Sequence, residues 1–258
     1  MVNWVPIVAA ALAALPAAGI FLVAFGRYEG AFRDNVVFIY FIGGLIVGGF
    51  LGFFTLLLYG TNATLIQIIG LALLYPITIV MAVNRRKWQG ERHAIFNGGA
   101  AGLGASVMMT FSLLYVTMLR PMQAAQQAAN EALRNATGNT SVSAPNLNTV
   151  GFAFDLVTDA QGLVLSMAMA GLFFGLGLLA GDAVRRKKQI VVALTGTAIL
   201  IAPSVFLEEY FRSRAWLWLV LLVAYGAIFA IAAERKLLVL GLTDEDRKMR
   251  RRKQRSEE

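Results

Sequence analysis

Apolar residues run almost unbroken through seven stretches of the chain, roughly 4–25, 36–59, 64–83, 94–118, 161–181, 190–207 and 215–233, and polar or charged residues gather in the breaks. A helix of about 20 residues crosses the roughly 30 Å of bilayer hydrocarbon, whereas apolar runs of about 10–14 suit a helix buried in a soluble core. The pattern predicts an all-α, polytopic transmembrane helix bundle of seven spans over residues 1–233, with a long loop at 119–160 and a basic tail at 234–258. No basic leader precedes the first stretch, and the segment 27–34 behind it carries Arg, Glu and Asp, so it reads as a retained helix and not a signal peptide.

Charge then sets the expected orientation. Seven spans put the termini on opposite faces, and with the N-terminus outside, 19 of the 23 Lys and Arg residues fall on the cytoplasmic side. Without the tail, the short loops still divide ten against four, which by the positive-inside rule predicts an outer N-terminus and a cytoplasmic C-terminus. Three Asn-x-Ser/Thr triplets, at Asn62, Asn135 and Asn139, fall in loops that this topology places outside and are candidate glycan sites. An integral protein of the plasma (cell) membrane is expected.

Composition narrows the chemistry further. The 258 residues are 58% hydrophobic and 15% charged, with no cysteine and one histidine, His93. Disulfides, thiolate metal sites and cysteine nucleophiles are thereby excluded. The net charge of +8 would suggest nucleic acid in a soluble domain. Here the basic residues sit at the ends of apolar segments, where membrane anchoring accounts for them, so membrane lipids and not nucleic acid are the expected partners.

Within the loop 119–160, Gln123–Gln127 opens an Ala-rich, helix-forming stretch to Arg134, and a polar segment 137–149 follows. A connection this long suits contact with a partner or ligand, or a solvated loop. In the tail, Thr243 suits a helix cap ahead of Asp244, Glu245 and Asp246. The run from Arg247 to Arg255, with Arg250, Arg251, Arg252 and Lys253 at its centre, suits contact with anionic headgroups or docking to a cytoplasmic machine such as the ribosome. Small residues four apart, Gly44, Gly48 and Gly52, Gly98 and Gly102, Gly171 and Gly175, and Gly177 with Gly181, are candidate helix-packing positions, either within the bundle or between copies.

An ionisable side chain inside a membrane is costly and so points to function, yet none falls inside the seven stretches as drawn. Asp155, Asp159, Glu208 and Glu209 stand at the outer ends of spans, and His93 at the cytoplasmic start of the fourth. Catalysis in the bilayer needs an acid/base pair, a metal or an activated serine. Ser106 has no intramembrane His or Lys to take its proton, and one histidine does not make a metal site. No enzymatic activity, cofactor or metal is expected.

The segment 71–115 contains Pro76-Ile77-Thr78 on one span, a basic loop, and Gly102-Leu103-Gly104 on the next. It resembles the core of PrsW-type intramembrane proteases, glutamate-dependent relatives of the CAAX-protease superfamily, whose helices carry Pro-x-Thr-Glu-Glu-x-x-Lys and Gly-x-Gly-Phe-Ala-x-x-Glu-Asn. Ile79 and Val80 stand where the paired glutamates would be, Val83 replaces the lysine, and Met109 and Thr110 replace Glu-Asn. The fifth span, with Gly171 to Gly177, is similar to the family's third helix without its histidine. The resemblance implies a protease scaffold that has lost the groups which activate water, a pseudoprotease able to hold a transmembrane segment in its former cleft.

Three classes of function follow. The leading expectation is a non-enzymatic scaffold or accessory subunit that binds other integral membrane proteins or forms a homo-oligomer. A transporter or channel-like protein for a neutral or lipidic substrate is the alternative, and a biogenesis factor acting through the basic tail is the third.

Overall fold

The computed structural model describes residues 5–28, 32–59, 64–89, 91–137 and 156–242, and among them all regular structure is helical. Seven helices are long and apolar enough to cross a membrane. They are α1 (Val5–Ile20, carried on by a π-helical turn Phe21–Phe25), α2 (Asp34–Tyr59), α3 (Leu65–Val83), α4 (Ala94–Thr137), α5 (Leu156–Arg186), α6 (Gln189–Ser213) and α7 (Trp216–Ala233). Asn62, Asn139, Arg250, Arg251, Arg252 and Lys253 lie outside the described residues, and Asn135 lies on the last turn of α4.

Local chemistry fixes the helix ends. Thr64 begins α3 with a capping box: its hydroxyl accepts the Gln67 N–H at 3.4 Å and its own N–H donates to Gln67 Oε1 at 2.7 Å. Lys187 and Arg214 adopt left-handed backbone, at φ 56° and 55°, and turn the chain sharply between α5 and α6 and between α6 and α7. Links this short make successive helices antiparallel neighbours.

The bundle is organised around α4 and α5. In their membrane windows 67% and 78% of residues are buried, against 22–44% in the other five, so these two form the centre and the rest surround them. Lipid tails are as apolar as leucine, so helices associate in a bilayer through close packing, which small residues permit. A Cβ added to Gly98 or Gly102 would overlap the carbonyls of Gly177 or Phe173 on antiparallel α5. One added to Gly44 or Gly48 would overlap those of Ala101 and Ala105, and one on Gly52 would press on Ser112, so α2 runs parallel to α4 in continuous backbone contact. Gly171 and Gly175 face the Gly226 backbone and the Phe229 ring of α7.

Several boundaries differ from the sequence reading: α5 begins at Leu156 and α6 runs to Ser213, which puts Asp159, Glu208 and Glu209 inside helices. Helix α4 does not stop near 118: its apolar window ends at Val116, and the helix continues to Thr137, 44 residues in all. Helix α5 runs past 181 to Arg186, which brings Asp182 inside it at 5% exposure. The chain after Ala233 continues as a π-helical turn Glu234–Leu238 and a last turn Val239–Gly241. Leu237, Leu238 and Leu242 are buried in one apolar cluster with Val83, Ala94 and Phe96. The first part of the expected tail therefore belongs to the bundle, because Leu237-Leu238 has apolar surface to bury against α4.

Candidate functional site

Two regions warrant description: the centre of the bundle, and the face where the α1–α2, α3–α4 and α5–α6 connections and the end of α7 meet. In the centre, Ile79, Val80 and Met109 are buried in one apolar cluster with Phe173 and Leu176 of α5. Ile79, Val80 and Met109 thus share an apolar cluster with the aromatic rings of Tyr75 and Phe173, whereas Val83 belongs to the other cluster, beside Ala94 and Phe96. Thr110 is buried and its Oγ1 has no hydrogen-bond partner. The Ser106 hydroxyl donates to the Leu103 carbonyl at 2.7 Å, a bond within its own helix that orders the side chain without activating it. Nearby, the Thr55 hydroxyl donates to Leu51 O at 2.7 Å and lies 2.9 Å from the Tyr75 hydroxyl, a polar tie between α2 and α3.

The second region is rich in charge. Asp182, expected in no site, binds Arg185 at 2.6 Å and Arg186 at 2.8 Å. This satisfies a nearly buried carboxylate with the two residues that end α5, where positive charge also suits the helix dipole. Arg27 pairs with Glu234 at 3.1 Å, and Arg92 donates to the Leu242 carbonyl at 2.9 Å. These two bonds tie the loops before α2 and α4 to the C-terminal turn and close that side of the face.

Between the starts of α2 and α4 lies a pocket of about 240 Å³, lined by Arg33, Val36, Lys87, Glu91, His93 and Asn97. Arg33 precedes α2 and Val36 is in its first turn; His93 precedes α4 and Asn97 is in its first turn. Because α2 and α4 run parallel, both present their N-terminal, electropositive ends to this one space. Asn97 is 1% exposed, and its Nδ2 has no hydrogen-bond partner; Nδ1 of His93 is also buried and unpartnered. A search for ionisable groups does not find Asn97, whose amide carries no charge, and it does not join Arg33 to Lys87 across 54 positions. A polar amide one turn inside an apolar span was the signal available.

Among the described residues no group of three or more His, Asp or Glu stands together to hold a metal ion. No protein-family model, curated protein or solved structure matches this chain.

Proposed function

We propose that this protein is a non-enzymatic, multi-pass scaffold or accessory subunit of the plasma membrane, which acts by binding other integral membrane proteins. The observation that carries this reading is the way α2, α4 and α5 meet: backbone against backbone at Gly48, Gly98 and Gly102, with no room for a methyl group. A carrier for a neutral or lipidic substrate, the competing reading, needs a passage through the middle of the bundle, and there the space is taken by Met109, Phe173 and Ile79, each at most 1% exposed. The resemblance to PrsW-type proteases is compatible with this reading, since Ile79, Val80 and Met109 fill one apolar cluster. The same filling argues for a partner on the outer faces of α1, α2, α3, α6 and α7 in preference to an inner cleft.

Gentle-detergent purification of the tagged protein from its native membrane, with mass spectrometry of whatever accompanies it, tests the reading. A membrane protein recovered at fixed stoichiometry is the expected result. A chain recovered alone, or only with copies of itself, overturns it and favours transport or lipid binding.

A further inference from the structure

We infer that the pocket between the N-terminal ends of α2 and α4 binds a phosphate group, carried either by an anionic lipid headgroup or by a free phosphate. Independently of any partner protein, three observations converge on this chemistry. The first is the donor set. Arg33, Lys87 and the Asn97 amide are donors, the His93 ring offers a second buried nitrogen, and among the described lining residues Glu91 is the one carboxylate. A metal ion would want the reverse, whereas a tetrahedral oxyanion accepts several such bonds at once.

The second is the buried amide. An N–H donor removed from water without a partner costs about 1–3 kcal/mol, and this cost disappears when an acceptor oxygen enters the pocket. Asn97 lines the space and is 1% exposed in all, so a small turn of its side chain toward the pocket brings the amide to an acceptor there. The third is position. Two parallel helices direct the equivalent of roughly half a positive charge each toward the same point, an arrangement suited to anions. Their apolar windows begin at Asp34 and Ala94, which places the pocket where hydrocarbon gives way to headgroups. Asp34 in the first turn of α2 and Glu91 at the rim oppose this field, and Arg33 and Lys87 offset them.

The test uses the full-length protein in a neutral detergent, titrated with short-chain phosphatidylglycerol, with phosphatidylcholine of equal chain length, or with inorganic phosphate. Thermal unfolding and native mass spectrometry read the binding. Saturable stabilisation by phosphatidylglycerol and not by phosphatidylcholine assigns a lipid headgroup; the same stabilisation by inorganic phosphate, which then displaces the lipid, assigns a free phosphate. Either supports the site, and saturable stabilisation by neither overturns it.

Arg33→Gln and Asn97→Leu are each expected to weaken binding about tenfold, the usual effect of losing one hydrogen bond to a charged group. Glu91→Gln is expected to tighten it. Lys188→Gln, an exposed charge on the same face but outside the lining, should leave it unchanged. If Lys188→Gln weakens binding as much as Arg33→Gln, the interaction is general attraction to a basic surface and the proposal fails. Asn97→Leu exchanges a buried, unpartnered amide for an apolar side chain, so its unfolding midpoint without ligand should not fall; Arg33→Gln, at an exposed position, tests the site separately should Asn97→Leu misfold.

Discussion

Replacing Gly98 with alanine adds one methyl group at one of the tightest points of the bundle. The new Cβ would overlap the Gly177 carbonyl and stand 2.9 Å from the Gly181 Cα, and both obstacles are backbone, which cannot rotate aside. Helices α4 and α5 must therefore move apart, loosening contacts along the seam. Overpacking of this kind costs about 1–3 kcal/mol, and a backbone obstacle belongs at the upper end. Alanine recovers about 1 kcal/mol of helix propensity, leaving a net loss of about 2 kcal/mol. Gly70→Ala is the matched control: nothing lies within 4 Å of its Cβ, so it should be neutral or gain up to about 1 kcal/mol. Equilibrium unfolding of the purified variants in mixed micelles of neutral detergent and dodecyl sulfate measures both. Because Gly177 meets the Gly98 carbonyl in return, Gly98→Ala and Gly177→Ala combined should cost less than their sum. A Gly98→Ala protein as stable as Gly70→Ala would refute the backbone-to-backbone seam.

Two further outcomes are expected. Asp182→Asn should destabilise the protein by about 1–2 kcal/mol in the same unfolding measurement, less than a fully buried pair, because Arg185 and Arg186 can turn to water; an unchanged midpoint would remove any role for that cluster. The chain has no cysteine, so single-cysteine variants report topology directly. A membrane-impermeant maleimide should label Ser213→Cys on intact cells and Lys188→Cys only after lysis, and the opposite pattern would reverse the orientation expected from the charge distribution.

The seven spans were legible in the sequence because hydropathy over about 20 residues is a strong signal that tertiary context rarely overrides. What each glycine meets was not. A ridge such as Gly44, Gly48 and Gly52 shows that something packs closely, but its partners Ala101, Ala105 and Ser112 lie more than fifty positions away, and nothing local selects them. The apolar stretch ends at Gly181, yet Asp182 stays in the helix because Arg185 and Arg186 fold back to neutralise it. Leu237-Leu238 read as tail because it follows Glu234-Arg235-Lys236, yet Arg27 pairs with Glu234 and leaves the leucines free to bury. The pocket was the least legible feature, since it assembles side chains from two loops whose meeting depends on α2 lying parallel to α4.

Helix α4 leaves its apolar window at Val116 and continues to Thr137, a further 21 residues. At about 1.5 Å per residue this is a rod of roughly 30 Å beyond the bilayer, rooted by its inner half between α2 and α5. Such a rod acts as a lever arm. A tilt of about 10° at the root would sweep the tip sideways by roughly 5 Å, but the root is itself 23 residues long, so the same tilt requires shifts of a few ångströms along the glycine seam, and the close packing that fixes the root thereby fixes the tip.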